Sequence, residues 1–332
     1  MEKYITYHMI AFWAGIILDL IVGDPYWMPH PIRWIGSLIG KLTKAMLNPF
    51  LENGRDRKKE KSRGVLLVLT VVGITVILTV VLTVGSYFLH PYVGMAIEMT
   101  LTCYILAAKS LYVESMKVSK ALSEKGLAAG RKAVSMIVGR DTECLDEEGV
   151  IKAAVETVAE NTSDGIIAPL IYTFIGGPIL GLAYKAINTM DSMVGYHSEK
   201  YEDFGCFAAR LDDAVNYLPS RISAVFMIAA AFVGGKKYSA KRAAHIFKRD
   251  RYNHKSPNSA QTESVCAGAL GVRLAGDASY FGKIVKKPYI GEPTRAIELA
   301  DIKRAGALMF ITEILVVLIC SGIYTAVIFI LK

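Results

Sequence analysis

The chain has 332 residues, 53% of them hydrophobic, with a mean hydropathy of +0.36. One or two water-soluble cores of this length do not need so much apolar content, so an ordinary soluble protein is excluded and membrane spans are expected. The formal charge of +8 has no aromatic-interleaved basic module to accompany it, which excludes a nucleic-acid partner, and five scattered cysteines without a C-x-x-C pair exclude a disulfide framework and a structural zinc site.

Tyr4–Val22 reads as the first spanning helix. It has neither a basic leader nor a small-residue cleavage site, and it carries Asp19, so a cleavable signal is not expected. GDPYWMPHPIRWIG (23–36) follows, where three prolines hold Asp24, His30 and Arg33 in a rigid loop, either to bind substrate or as a plain interfacial turn. The run RDRKKEKSR (55–63) suits anionic headgroups beside Val65–Leu89, which carries no charge at all. His90-Pro91 turns the chain into a third span, Tyr92–Ala108. Residues 109–164 read as helical, with a turn at Gly126 and Gly130 and helix-start chemistry at Asp141-Thr142 and Leu145-Asp146-Glu147-Glu148.

Glu156, Glu160 and Asp164 are spaced by four and so share one helix face. Such a stripe either faces water and caps the next helix or holds a hard cation such as Mg²⁺, with Asn161 and Ser163 adding neutral oxygens. Gly165–Ala183 is apolar but holds Pro169, Pro178 and Gly176-Gly177. A broken helix that stops and returns is expected there, keeping 184–216 near the cytoplasmic side.

KAINTMDSMVGYHSEKY (185–201) repeats Lys185, Asn188, Asp191 and Ser192 on one polar face, and its lone His197 reads as a hydrogen-bonded structural group more readily than as a ligand. In FGCFAARLDDAVNYLPSRISA (204–224), Arg210, Asp212, Asp213 and Asn216 precede an apolar run that contains Arg221. Intramembrane charges are functional candidates, and pairing of Asp213 or Asn216 with Arg221 is the structural alternative. HKSPNSAQTESVCAGALGVRLAG (254–276) places Ser256, Asn258, Ser259 and Thr262 at a helix start suited to a phosphate, near Lys255 and Arg273. The last span, Ala305–Leu331, carries only Glu313.

No repeat and no β-hairpin signal appears. The expected fold is all-α: a polytopic integral membrane protein of five to six helices, some broken or re-entrant, forming a single membrane domain over 1–332. Of the 38 Lys and Arg, nine lie in 24–63, eight in 109–164 and fifteen in 235–304, which makes these the cytoplasmic loops of a protein in the cell (inner) membrane, with its active site facing the cytoplasm. The chain contains no G-x-x-x-x-G-K-[ST], G-x-G-x-x-G, H-E-x-x-H or G-x-S-x-G.

Four stretches, taken in order, resemble the adenosylcobinamide-phosphate synthase family of cobalamin biosynthesis: LDLIVGDPYWMPHPIRWIG, IVGRDTECLDEEGVIKAAVETVAENTSDGIIAPL, YKAINTMDSMVGYHSEKYEDFGCFAARLDDAVNYLPSRISA and HKSPNSAQTESVCAGALGVRLAG. One departure stands. After SPN the family continues with a Trp-Pro-Glu type of sequence, whereas here it is SAQTES, with Glu263 the acid nearest that place. The resemblance implies a ligase that joins a propionate of adenosylcobyric acid to the amine of (R)-1-amino-2-propanol phosphate, or a related amino-alcohol phosphate, using ATP and Mg²⁺. A transporter with a midplane solute site, built on Asp19, Arg221 and Glu313, is the alternative. Under the ligase reading, Glu156, Glu160 and Asp164 hold the metal. Lys185 and Arg210 stabilise an oxyanion or a phosphate, Asp191 or Asp213 accepts a proton, and Arg140, Lys255 and Arg273 grip the substrate phosphate. Asp24, His30, Arg33, Asn161, Asn188, Ser192, Asn216, Ser256 and Asn258 complete the substrate-binding set. The implied partners are the corrinoid, the amino-alcohol phosphate, the nucleotide and membrane lipid, with association with other corrinoid-pathway enzymes left open.

Overall fold

The computed structural model describes every residue except Met1, Tyr26, 196–199, Phe281 and Lys332. His197 therefore lies outside the described residues. Among those described, six helical segments are long and apolar enough to cross a membrane: Lys3–Val22, Arg57–Leu89, Pro91–Lys125, Glu147–Val194, Cys206–Val233 and Ala300–Ile330. The fold is that of an all-α polytopic membrane protein. Where the sequence reads as one domain, the chain divides into two compact units. Unit 1 comprises 1–107, 169–216 and 323–332, and unit 2 comprises 108–168 and 217–322.

Unit 1 is built on α1 (Glu2–Val22), α2 (Pro31–Asn53), α3 (Arg57–Leu89) and α4 (Pro91–Ile105). Asp56 caps α3 by accepting from Lys59 N at 3.1 Å. Deep in α3, the hydroxyls of Thr75 and Thr79 donate back to Val71 O and Thr75 O at 2.8 and 2.7 Å, which satisfies them where no water reaches. His90 ends α3 and also starts α4, where its Nδ1 accepts from Tyr92 N. The basic run at the start of α3 is partly used within the protein: Arg55 pairs with the fully buried Glu60, and Arg57 and Lys61 flank Asp203. Ile39, Leu47, Leu67, Val71, Met190 and Phe204 form the apolar core. At Gly64 a Cβ would lie 2.0 Å from Phe204 O, so only glycine lets the backbones approach so closely.

The helix α8 (Ala168–Val194) breaks where the prolines and glycines predict. Gly176 is at φ −136°, ψ 26° and Gly177 at φ +60°, ψ −160°, and Pro178, lacking an N–H, starts the next arm. The two arms fold back on each other. The rings of Tyr172 and Tyr184 stack with centroids 5.2 Å apart, whereas a straight helix would separate them by about 18 Å. A Cβ on Gly181 would lie 2.3 Å from Thr173 Oγ1, so the return arm requires glycine there. Helix α9 (Cys206–Val233) contributes its first residues to this unit.

Unit 2 contains α5 (Ala108–Lys125), α6 (Leu127–Val134), α7 (Glu147–Asn161), α10 (Ala240–Asp250), α11 (Ser259–Leu270) and the start of α12 (Ala300–Leu331). Gly126, at φ +78°, breaks α5 from α6 as expected, while Gly130 lies inside α6 against Leu122. Asp146 caps α7 by accepting from Gly149 N at 2.7 Å. Every residue of α11 is buried, polar ones included, and it packs on α7, α10 and the strands. Gly268 makes the close α10 contact possible, because a Cβ there would meet Ala243 Cα at 2.7 Å.

The expectation of no hairpins needs correcting. β1 (Arg273–Ala275) pairs antiparallel with β4 (Tyr289–Gly291), and β2 (Ala278–Tyr280) with β3 (Lys283–Val285). Strands of three residues carry too little alternation to be read from sequence, and the turn glycines Gly276 and Gly282 (φ +87° and +74°) are the legible trace.

Candidate active site

In unit 2, α7 and α11 bring together three glutamates. Glu156 is occupied: Arg140 donates to its Oε2 at 2.5 Å and Ala275 N to its Oε1 at 2.6 Å. Arg140, expected on a substrate phosphate, is therefore spent on holding the β1 backbone and α7 together through this carboxylate. Glu160, one turn on, has no hydrogen bond or ion pair among the described residues. Glu263 on α11 is buried, and no donor reaches it either. Burial, with the negative charges of Glu160 and Glu156 next in weight, pushes the Glu263 carboxyl well above the usual range. The hydroxyls of Ser163 and Thr262, buried on the same two stretches, are also without partners.

His254 completes this group. Burial pushes its imidazolium pKa down, against the pull of Glu160. Its Nδ1 accepts from Ser256 N at 3.1 Å, so in the neutral ring Nε2 carries the hydrogen and acts as a donor. The Lys287 ammonium, bound to Tyr280 OH at 2.7 Å, is the leading positive charge acting on Glu263. The exposed Arg273 lies over the Tyr289 ring, 4.2 Å from its centroid, and Lys255 is exposed.

The expected three-carboxylate metal stripe is not formed. Among the described residues, no three His, Cys, Asp or Glu side chains gather as a metal site would require. Glu156 is already paired, and Asp164 falls in the π-helical turn Thr162–Ile167, where the chain leaves α-helical register. Asn161 Nδ2 bonds back to Thr157 O at 3.0 Å. Two unpaired carboxylates, Glu160 and Glu263, with free hydroxyls alongside, nevertheless fit Mg²⁺, which commonly takes one or two carboxylates and completes its octahedron with water and substrate phosphate oxygens.

A second polar cluster belongs to unit 1, and its hub is Asp212. Asn188 Nδ2 on the return arm of α8 donates to Asp212 Oδ1 at 3.3 Å, and Asn216 Nδ2 donates to Oδ2 at 3.0 Å. Tyr184 OH donates to Asn216 Oδ1 at 2.8 Å. Asp191 and Asp213 are the negative neighbours of this hub, and Lys185 lies half-buried on the same arm. Arg210 is exposed on α9, and Ser192 Oγ bonds back to Asn188 O at 3.0 Å.

The remaining candidates have structural partners. His30 Nε2 donates to Asp24 at 2.9 Å, its Nδ1 caps α2 through Ile32 N, and its ring packs on Tyr104. Arg33 donates to Pro25 O at 3.1 Å. Ser256 Oγ accepts from Asn258 N at 3.3 Å. Arg221 pairs with neither Asp213 nor Asn216. It stacks on Tyr217 at 3.5 Å and donates to Asn258 Oδ1 at 3.2 Å, because one turn of α9 places Tyr217 directly beneath it. Sequence reasoning missed His254 and Lys287, as well as Asp212 as the hub. The signals available were a histidine directly before the SPN stretch and an acid four residues before Asn216.

These features define an integral membrane protein with a buried, under-satisfied carboxylate site. The family model described as "CobD/Cbib protein" matches residues 12–309. The Cobalamin biosynthesis protein CobD of Clostridium perfringens (strain 13 / Type A) is 45% identical over 301 residues, covering 91% of this chain and 93% of the relative. The protein of that name from Citrobacter koseri is 44% identical over 308 residues, 92% and 94% of the two chains. Cobalamin biosynthesis protein CbiB of Salmonella typhi is 43% identical over 307 residues, again 92% and 94%. The chain belongs to the CobD/CbiB family, the cobinamide phosphate synthase family of cobalamin biosynthesis. No solved structure matches it.

Proposed function

We propose that this protein joins a propionate carboxyl of adenosylcobyric acid to the amine of (R)-1-amino-2-propanol phosphate, or a closely related amino-alcohol phosphate, with ATP as co-substrate, giving adenosylcobinamide phosphate. Family membership supports the pathway. The observation that carries the chemistry is the Glu160–Glu263 pair, two carboxylates left unpaired beside a neutral imidazole. A carboxylate and an ammonium do not condense in water, so the acid must be activated. Attack of the propionate oxygen on the γ-phosphorus breaks the bond to ADP and leaves an acyl phosphate. The amine nitrogen then attacks the acyl carbon, the C–O bond to phosphate breaks, and a proton leaves the nitrogen.

In this scheme Glu160 and Glu263 would hold Mg²⁺, which when bound neutralises phosphate charge. His254 donates from Nε2 to a substrate oxygen at the same site. Arg140 holds Glu156, which keeps β1 against α7. Arg273, over the Tyr289 ring, offers the N–H groups along its guanidinium edge to the amino-alcohol phosphate. Within unit 1, Asp191 and Asp213 beside the amide-bound Asp212 suit a proton acceptor, and Lys185 and Arg210 suit a group that binds negative charge. Arg221, one of the charges on which a transport reading rests, is committed to Tyr217 and Asn258.

The experiment is direct. Purified protein is incubated with adenosylcobyric acid, the amino-alcohol phosphate and MgATP, and the products are weighed by mass spectrometry. The expected result is one amide and one phosphate for each ATP consumed. No amide under any nucleotide condition, together with passage of labelled corrinoid into proteoliposomes, would replace the ligase with a transporter.

A further inference from the structure

Unit 2 carries a charged cavity that the ligase reading does not use. It has a volume of about 400 Å³ and is lined by Lys236, Lys237, Arg242, Arg295 and Arg304, with Glu298 as its one acid. Asp301, fully buried, binds Arg295 and Arg304 at 2.5 and 2.8 Å. Five cations against these two carboxylates leave three positive charges without compensation. Arg242 is fixed by its Nε, which donates to Gly268 O at 2.9 Å and leaves its terminal nitrogens available. Lys236 and Lys237 are exposed, and neither has a hydrogen bond or ion pair among the described residues. Ser239 caps α10 at the same place, and the positive end of that helix adds to the field.

Its position narrows the ligand. Lys236 and Lys237 follow directly on the span that ends at Val233, and Arg304 lies in the first turns of the span that starts at Ala300. Tyr238 OH donates to Arg304 O at 2.8 Å and ties the two helix ends together. Just before the lysines, Phe232 and Val233 are 80% and 62% exposed. An apolar ledge running into a cationic cleft at the ends of two membrane helices matches a molecule with acyl chains and an anionic head.

The geometry points to a binding site for a phosphate-bearing anion in this cleft, with the headgroup of an anionic phospholipid as the source the position favours and a free polyphosphate as the other. The cations neutralise the phosphate, Arg242 and Arg304 direct N–H groups at its oxygens, and the acyl chains lie on Phe232 and Val233.

The test uses the full chain in detergent with three probes: phosphatidylglycerol, phosphatidylcholine and inorganic pyrophosphate. Lipid retention is read by native mass spectrometry and pyrophosphate binding by calorimetry, each for the wild type and for Lys236→Ala/Lys237→Ala. Both lysines are exposed, so the double variant should keep its helix content and thermal midpoint. Each cation near an anionic surface is worth about fivefold, so phosphatidylglycerol affinity should fall about thirtyfold while phosphatidylcholine binds weakly to both proteins. If pyrophosphate binding falls instead and the lipid is unaffected, the site stands with a soluble phosphate as its ligand. If neither phosphatidylglycerol nor pyrophosphate responds to the double variant, the proposal is overturned.

Discussion

Asp212 in unit 1 and Glu263 in unit 2 are both buried acids on helices, and the protein treats them in opposite ways. Asp212 receives an amide donor on each oxygen, and one of those amides is itself fixed by Tyr184. Glu263 receives none and faces two other glutamates. Both acids have carboxylate neighbours, Asp191 and Asp213 for the one and Glu160 and Glu156 for the other, so the donors make the difference: a buried carboxyl given amide donors is ordered structure, and one left without them is costly unless something else occupies the place. Under the proposed ligase reading, the contrast favours unit 2 for the cation and an ordering role for the Asp212 hub.

The largest effects should come from unit 2. Glu160→Gln and Glu263→Gln should each lower the rate of amide formation about 10²–10³-fold, as loss of a group stabilising transition-state charge does. Asp212→Asn, measured in the same assay, should cost much less, and equal losses for all three would erase the contrast. Arg140→Ala comes next. It strands Glu156 with one backbone donor, and both partners are only about an eighth exposed (13% and 12%), so unfolding in detergent should become easier by about 3 kcal/mol. Gly177→Ala should destabilise by about 1–3 kcal/mol, because φ +60°, ψ −160° suits glycine almost alone. A thermal midpoint equal to the wild type would mean that the hairpin tip relaxes freely.

Smaller still is a pH slope. Glu263 has a raised folded pKa, so the native state holds a proton that the unfolded chain gives up near pH 4.3. In metal-free buffer, stability should therefore fall as pH rises from that value towards the folded one, by at most about 1.4 kcal/mol per pH unit. Glu263→Gln should flatten this slope. His254 is shifted the other way, and its contribution should be lost as pH falls below about 6.5.

How much of this was legible depends on range. The charge-free Val65–Leu89 and the break at Gly176-Gly177-Pro178 are local signals, and both were readable. The return of the helix was also expected from those residues, whereas the Tyr172–Tyr184 stack that closes it, twelve positions apart, is seen only in the structure. Spacing correctly put Glu156 and Glu160 on one face but was blind to Arg140, sixteen residues upstream, and to Ala275. Asp212 and Asp213 are indistinguishable in sequence, and one step of about 100° around α9 decides which of them meets Asn188. Glu263 was legible only as the acid nearest the family's Trp-Pro-Glu place, and not as a partner of Glu160, because α11 is buried on every side and leaves no amphipathic stripe to mark an inner face.

The central claim is that Glu160 and Glu263 form a Mg²⁺ site whose occupation expels the proton held by Glu263. Titrating metal-free protein with Mg²⁺ at pH 7 by calorimetry, in two buffers of different ionisation heat, counts that proton. The account predicts release of about one proton per ion in the wild type and none in Glu263→Gln, which should also bind more weakly. Equal Mg²⁺ affinity in the two proteins, with no proton released by either, would contradict it.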